Sequence, residues 1–298
     1  MNYFLAFCLA LCWGTAFLAS KNIVDVLPPY WGAFLRVVAG LAFFAIFFGI
    51  RRASFRCPVR QLWRPWVISF MLILLPFASL SWGIQHTVPT IAGIFNGTVP
   101  IWSFIAGAIL LKGVDRFTWR RAAGVIIGLA GLLVIMRPQW QVAFSAPAGQ
   151  MALWGYLALL VMALSYGVGN VITKKIMVDN HSVGWEANTL HQYLFATIIL
   201  GIISFAWEPT PALHVFNTKL VLSIISAGVF SSAVAFLLMI ALMKRWGATR
   251  MASVTYFSPI IAMGTDILFR GRMPQGIELI GMALIFVSLW LIQKKVEG

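Results

Sequence analysis

The chain has 298 residues, of which 61% are hydrophobic and only 10% are charged. This composition excludes an ordinary soluble domain, in which about 25% of residues carry charge, and indicates several membrane-spanning helices. The net charge of +14 would suit a nucleic-acid partner in a soluble protein. Here no basic stretch is interleaved with polar residues that read bases, so we expect a lipid bilayer and no nucleic acid.

Ten apolar runs, joined by short connections, predict ten transmembrane helices. The longest connection, at 137–150, divides the chain near its middle. We therefore predict an all-α polytopic membrane protein with one five-helix repeat at 1–140 and a second at 150–298. The runs cover approximately residues 3–20, 30–50, 64–84, 88–111, 120–136, 151–173, 184–206, 218–243, 247–269 and 274–293.

The lysines and arginines predict the orientation. If the N-terminus is cytoplasmic, most of them lie at the cytoplasmic ends of the runs, as the positive-inside rule requires. The first run lacks a basic leader and a cleavage site, so it reads as a retained helix. We predict a multi-pass protein of the cell inner (plasma) membrane with both termini cytoplasmic. The basic residues left outside are then Lys21, Arg137, Lys219, Arg270 and Arg272.

The two halves carry matching landmarks. The fourth run has Pro100 near its centre, and the ninth run has Pro259, which follows 159 residues later. Helices broken at corresponding places in two halves are typical of transporter binding sites. The pair Trp13-Gly14 matches Tyr166-Gly167, 153 residues on. Because five spans is an odd number, the second copy must insert from the opposite side, which predicts an inverted-topology repeat.

Three features resemble the EamA-type family of the drug/metabolite transporter superfamily. They are Trp13-Gly14 near the end of the first span, Arg36 after Pro29 in the second, and the small residues around Pro100 in the fourth. The resemblance covers nearly the whole chain and implies a transporter. Within the superfamily, the aromatic density and the ten-span layout are most similar to inner-membrane exporters of aromatic amino acids.

All eight acidic residues lie in loops, tails or span ends. A charge at mid-bilayer costs about 2.5–3.5 kcal/mol on insertion scales, so acids at that depth usually mark ion pathways. Their absence argues against carboxylate-based proton or sodium coupling and favours transport driven by the substrate's own gradient. The resembling family commonly has a glutamate after the fourth and ninth spans, where this chain has Val114 and Gly271 or Arg272. No role can therefore be assigned to such an acid.

Arg36 lies about seven residues inside the second span, roughly 10 Å from its outer end. It could snorkel to the interface or pair with backbone carbonyls or Asp266. Alternatively, it could act as a fixed positive charge that clamps the carboxylate of an amino-acid substrate. Both interpretations remain open on the sequence alone.

Polar residues on small-residue stripes are the next candidates. In the third span Ser79 and His86 share one helical face, and in the fourth Asn96 precedes Pro100 by one turn. Such stripes often serve close helix packing, but polar members at depth also suit a wet central cavity. His86 could equally be a satisfied polar contact or a donor that titrates near neutral pH.

Aromatic residues inside spans could be packing bulk or the wall of a cavity that stacks on apolar substrates. Tyr256 is placed beside the predicted break in the ninth span, which favours a position on the cavity wall. Asn170 follows Tyr166 by one turn, and His191 follows Asn188. The predicted substrate-binding set is Trp13, Ser79, His86, Asn96, Trp102, Tyr166, Asn170, Asn188, His191 and Tyr256, with Arg36 as clamp and Pro100 and Pro259 as helix breaks.

Gly124 and Gly128 form a GxxxG pattern that Gly131 extends. Such a stripe could form a dimer seam or, as we favour, a close contact inside the bundle. No cysteine pair has metal-ligand spacing with histidines, so we predict no metal and no cofactor. The pattern is compatible with a monomer.

The sequence thus favours an exporter of small amphipathic metabolites, with aromatic or apolar amino acids as the best candidates, that works by alternating access around a central cavity. The alternatives are export of drugs or other metabolites by proton antiport and, with less support, a channel. A channel would need a continuous polar lining or a charged ring. An intramembrane enzyme would need a catalytic set at depth, and none is evident, so we predict no enzymatic activity.

Overall fold

A computed structural model describes residues 2–87, 89–111, 118–135, 137, 150–178, 183–257 and 276–293. All regular elements within these residues are helical. They are α1 Asn2–Val24, α2 Pro29–Ile50, α3 Val59–Gln85, α4 in two segments Pro89–Asn96 and Val99–Leu110, α5 Trp119–Ile135, α6 Gln150–Thr173 continued by Lys174–Val178, α7 Trp185–Trp207, α8 Thr218–Trp246, α9 Ala248–Ala252 continued by Ser253–Phe257, and α10 Gly276–Gln293.

Seven of the described helices are long and apolar enough to cross a bilayer, namely α1 to α4 and α6 to α8. At about 1.5 Å per residue, a helix of some 20 residues spans the hydrocarbon layer. Large apolar side chains such as Ile109, Ile198 and Phe205 are exposed on the outer faces, where a soluble protein would place polar groups. The chain is therefore an all-α polytopic membrane protein, as the sequence predicts.

The helices pack in a pattern that repeats itself along the chain. Helix α3 packs against α6 and α8 packs against α1, while α2 contacts α8 and α7 contacts α3. Three further pairs, α2 with α7, α4 with α9 and α5 with α10, join helices five places apart. Each of these contacts is thus matched by one between the helices five places along the order. Helices α5 and α10 pack mainly against each other.

Three helices depart from regular α geometry at the centre of the bundle. Helix α3 contains a π-helical turn at Phe70–Leu74, and α8 contains a longer one at Ser226–Val234. Helix α4 is interrupted between Asn96 and Val99. Widened turns of this kind occur frequently at functional sites, because they leave backbone and side-chain groups that are not committed to the regular helix.

The break in α4 lies just before the proline that predicts it. The first segment ends at Asn96, and Pro100 stands in the first turn of the second segment, where its missing N–H costs no intrahelical bond. The Thr98 carbonyl accepts the Ile101 N–H at 2.9 Å. The second predicted break, Pro259, lies outside the described residues.

The glycine stripe of α5 faces α10 of the same chain. A Cβ atom built on Gly131 would lie 2.8 Å from the Gly281 carbonyl oxygen, and one on Gly124 would lie 2.8 Å from Ile292. Only glycine allows the two backbones to approach this closely. The contact is the close packing inside the bundle that we favour from the sequence.

The N-terminus of α2 is held by a carboxylate from the end of α7. The two oxygens of Glu208 accept the backbone N–H groups of Tyr30 at 3.0 Å and Trp31 at 2.9 Å. Pro28 precedes the helix and makes no side-chain cap, so Glu208 supplies both the acceptors and the negative charge that a helix N-terminus favours. This contact fixes the end of the helix that carries Arg36.

We expect Glu208→Gln to destabilise the fold by about 1–2 kcal/mol, because the amide offers one acceptor instead of two and no charge. The midpoint of thermal unfolding in detergent should fall by a few degrees. Asp25→Asn is the control: Asp25 makes a 3.0 Å ion pair with Lys21 but is half exposed, and such pairs contribute little. Equal effects of the two variants would contradict the capping role.

Candidate functional site

A cavity of about 90 Å³ lies at the centre of the bundle, between the two halves of the chain. Its walls come from α1, α3, α4, α6, α8 and α9, the six helices predicted to wall it, and also from α2 and α7. The volume has room for several water molecules. The lining residues are Trp13, Ala16, Phe17, Arg36, Leu72, Ile73, Phe77, Leu80, Asn96, Val99, Tyr166, Asn170, Tyr193, Ser231, Ser232, Ala235, Phe236, Met239 and Thr255.

Arg36 is the only charged residue among the described lining residues. It is 5% exposed, and its guanidinium lies 3.9 Å from the centre of the Phe77 ring. Its Nε donates to Ser232 Oγ at 2.9 Å, and one terminal nitrogen donates to Ser20 Oγ at 3.3 Å. Both acceptors are neutral hydroxyls. Within the described part of the chain, no carboxylate lies within ion-pair distance of this buried cation.

The guanidinium has five N–H groups, and the two described hydrogen bonds use one each. Three N–H groups therefore have no acceptor among the residues that the structure describes. Two of these belong to the second terminal nitrogen, so the end of the fork that binds a carboxylate through two parallel hydrogen bonds is available.

Close packing of α8 on α2 sets the position of Arg36. A Cβ atom on Gly228 would lie 2.4 Å from the Arg36 carbonyl oxygen, so the two backbones almost touch. In the same π-helical stretch, Ser232 donates its hydroxyl to the Ala227 carbonyl at 2.7 Å. The hydroxyl oxygen is thereby oriented to accept the Arg36 Nε–H.

Two asparagine side chains add neutral polar groups to the wall. Asn96 lies at the break in α4 and makes no hydrogen bond within the described residues, although it is 9% exposed. The Asn170 amide donates to Ser103 Oγ at 3.4 Å, which leaves its oxygen as an acceptor. Ser103 in turn donates to the Gly167 carbonyl at 3.2 Å. Amide oxygens placed in this way can accept from an ammonium group.

Residues at matching positions of the two halves meet at the cavity. Trp13 and Tyr166, 153 residues apart, both line it. So do Asn96 at the α4 break and Thr255 in α9, which are 159 residues apart. The landmarks by which the sequence relates its two halves are thus gathered at one place.

Of the predicted substrate-binding residues, Trp13, Asn96, Tyr166 and Asn170 line the cavity with Arg36. Ser79 is partly buried on α3, and His86 lies at the end of that helix with its ring 4.5 Å from Trp82. Neither belongs to the described lining, and their contact with substrate stays a prediction.

Trp102 and Tyr256 are engaged by neighbouring helices. Trp102 donates its indole N–H to Thr98 at 3.1 Å. Tyr256 is fully buried and donates its hydroxyl to the Val125 carbonyl at 3.0 Å. The structure therefore differs from the placement of Tyr256 on the cavity wall, because α9 winds as a 3-10 helix at Ser253–Phe257 and directs this ring toward α5.

Asn188 and His191 lie on α7 away from the cavity. The Asn188 side chain accepts from Gln192 at 2.6 Å within a buried polar cluster. His191 Nε2 lies 3.3 Å from the carbonyl of Phe55, in the connection between α2 and α3. These contacts match the interpretation of such residues as satisfied polar groups, and no substrate role follows from them.

The structure also adds residues that the sequence analysis does not single out. Phe77 and Tyr193 contribute rings, and Ser231 and Ser232 contribute hydroxyls. With 14% aromatic residues, spacing gives no way to rank one ring above another. Among the described residues, no group of three or more His, Cys, Asp or Glu is placed to hold a metal ion.

The EamA-like transporter family matches this chain over residues 1–137 and again over residues 153–293. The chain belongs to the EamA-like transporter family. The gap between the two matched segments falls where the sequence predicts the boundary between the repeats. Together with the apolar helices, membership makes this EamA-like protein a multi-pass membrane transporter.

Named relatives are distant but similar along the whole chain. A probable amino-acid metabolite efflux pump of Salmonella typhimurium is 24% identical over 298 residues, covering 97% of this chain and 93% of that protein. A chloroplastic WAT1-related protein of Arabidopsis thaliana is 24% identical, and this chain spans 66% of its length. A solved crystal structure shares the fold with a TM-score of 0.72 at 19% identity, covering 98% of this chain and 96% of that chain.

Proposed function

We propose that this EamA-like transporter exports small amphipathic carboxylates, with aromatic or other apolar amino acids as the main substrates, by alternating access around the central cavity. The observation that carries the proposal is a buried, unpaired guanidinium on an aromatic-walled cavity. The names of the Salmonella protein and of an Escherichia coli relative, 22% identical over 292 residues, support amino-acid metabolites.

The charge of Arg36 favours a carboxylate. A buried cation without a counter-ion carries a large desolvation cost, and an anion that binds beside it offsets that cost. Ser20 and Ser232 accept hydrogen bonds but bring no charge. The substrate carboxylate is therefore the natural counter-ion, and the free end of the guanidinium provides bidentate geometry.

The rest of the wall suits an apolar side chain and a neutral polar contact. Trp13, Phe17, Tyr166 and Phe236 present rings on several sides of the cavity. Offset or edge contacts between rings are worth about 0.5–1.5 kcal/mol beyond the area they bury. The Asn170 amide oxygen can accept from the substrate ammonium.

Alternating access is supported by the repeated packing pattern and by the irregular turns. Under an inverted five-plus-five arrangement, α3 corresponds to α8 and α4 to α9, and the π-helical turns in α3 and α8 fall at corresponding places along the cavity. Non-regular backbone at membrane depth is tolerated where it lines a cavity, and there it can bend as the halves rock. We propose residues 1–140 and 150–298 as the rocking units, in a monomer with both termini cytoplasmic.

The driving force follows from the cavity's composition. Its described lining includes no Asp, Glu or His that could carry a proton during the transport cycle. We therefore propose that the substrate's own gradient drives export. Proton antiport of drugs or other metabolites is the competing function.

A substrate panel in proteoliposomes tests the proposal. Counterflow of labelled tryptophan should be inhibited by indole-3-propionate, which keeps the carboxylate, and at least tenfold less by tryptamine, which lacks it. Collapse of the proton gradient with a protonophore should leave counterflow unchanged. Equal inhibition by tryptamine would contradict the carboxylate clamp, and loss of transport with the protonophore would favour proton antiport. Discrete conductance steps in planar bilayers would instead indicate a channel.

A further inference from the structure

A second concave surface, separate from the central cavity, opens where α2 ends, α7 begins and α8 ends. This groove has a volume of about 380 Å³. Basic side chains form its rim, with aromatic and aliphatic side chains below them. Its residues are Phe47, Arg51, Trp185, Leu237, Ile240, Ala241, Lys244 and Arg245.

The three cations of the groove have no acidic partner. Arg51, Lys244 and Arg245 are exposed, and no carboxylate lies within ion-pair distance of any of them in the described part of the chain. Arg245 donates to the neutral Asn2 side chain at 2.6 Å, and the Arg51 guanidinium lies 4.8 Å from the centre of the Phe47 ring. Three positive charges thus converge on one opening without compensation.

The groove lies at the boundary between the bilayer and water. Arg51 directly follows the last residue of α2, and Lys244 and Arg245 lie in the last turn of α8. Trp185 is the first residue of α7, and its indole N–H has no acceptor among the described residues. Tryptophan, lysine and arginine are the residues that mark such a boundary.

Below the charged rim the surface becomes apolar. Leu237, Ile240 and Ala241 of α8 form one wall of the groove. Beside it on α2, Ile46 and Ile50 are 65% and 79% exposed, facing the position of acyl chains. An occupant must therefore be negative at one end and apolar at the other.

We propose that this groove binds a phospholipid with an anionic headgroup. The phosphate lies among Arg51, Lys244 and Arg245, the Trp185 indole donates to the headgroup, and an acyl chain lies along Phe47 and the aliphatic wall. Basic pockets between helices at the membrane surface attract anionic lipids in proportion to their charge. The bound lipid would bridge α2 and α8, the two helices that position Arg36.

Native mass spectrometry of the full-length protein in detergent tests the proposal. We expect the wild type to retain phosphatidylglycerol at least tenfold more tightly than phosphatidylcholine with the same acyl chains. The triple variant Arg51→Gln/Lys244→Gln/Arg245→Gln should lose that preference, since each cation contributes about fivefold. In the same samples, phosphatidylglycerol should raise the midpoint of thermal unfolding of the wild type and not of the triple variant.

The matched control is Arg56→Gln/Arg60→Gln/Lys175→Gln, which removes two arginines and one lysine that are also exposed and lie outside the groove. It should keep the wild-type preference. An equal loss in the control would overturn the proposal, because general surface charge would then explain binding. Equal retention of both lipids would overturn it as well. Displacement of the lipid by millimolar inorganic phosphate would point to a soluble phosphate site and would overturn the assignment to lipid.

Discussion

Arg36→Gln is expected to raise the KM for tryptophan counterflow about 10- to 100-fold, because a hydrogen bond to a charged group contributes about 1.5–3 kcal/mol. Glutamine keeps a polar side chain of similar reach but loses the charge and the fork. Arg36→Lys keeps the charge and should fall between the wild type and the glutamine variant, since an ammonium cannot bind a carboxylate through two parallel bonds. Initial rates of counterflow in proteoliposomes provide the measurement.

The pattern across substrates separates a clamp from a structural role. Inhibition by tryptamine should be the same for wild type and Arg36→Gln, because tryptamine has no carboxylate to lose. The variant should also unfold at or above the wild-type temperature, since removal of an unpaired buried charge relieves its desolvation cost. Arg56→Gln, an exposed arginine in the loop after α2, is the control and should transport normally.

Two outcomes would refute the clamp. One is wild-type transport of tryptophan by Arg36→Gln. The other is a lower unfolding temperature together with an equal loss for all substrates, which would make Arg36 a packing residue.

Gly228→Ala has the second largest expected effect. The added Cβ would lie 2.4 Å from the Arg36 carbonyl oxygen and 2.6 Å from the Ala39 Cβ. Backbone atoms cannot swing aside as a flexible side chain can, so α8 must move away from α2 by about 1 Å. Overpacking of this kind costs about 1–3 kcal/mol. The 2.9 Å bond from Arg36 to Ser232 would lengthen as a result.

We expect Gly228→Ala to lower the midpoint of thermal unfolding in detergent by several degrees and to reduce tryptophan counterflow about tenfold. Gly49→Ala is the matched control, since it adds the same methyl group to α2 at a position with no atom within 4 Å. That change should be neutral or stabilising by up to about 1 kcal/mol, because alanine is the better helix former. Wild-type stability and transport in Gly228→Ala would show that the two helices are not in close register.

Internal similarity carried the sequence-based predictions that placed residues on the cavity. Trp13 and Tyr166 were paired by their spacing, and Asn96 was tied to Thr255 in the same way. A repeat that inserts in opposite directions brings equivalent positions to one pseudo-symmetry axis at mid-membrane. Residues at equivalent positions of such repeats are therefore good candidates even when no single motif is specific.

Predictions that rested on residue type within one helix were less successful. Asn188 and His191 are polar residues on an apolar helix, yet they make local contacts with Gln192 and with the Phe55 carbonyl. Tyr256 lies one residue from Thr255, and only Thr255 lines the cavity. A change from α to 3-10 winding rotates neighbouring side chains, and periodicity along a regular helix cannot anticipate it.

By itself, the sequence determined that this protein is a bundle of membrane helices in two related halves, because hydrophobic length and repeated spacing are properties of the chain alone. Only the tertiary structure decided which of many aromatic and small residues face one another at the centre. It placed Phe77 and Tyr193 on the cavity, and it left Arg36 with hydroxyl partners instead of an acid. These outcomes depend on helix rotation and close backbone approach, which arise when the helices pack and which no single helix encodes.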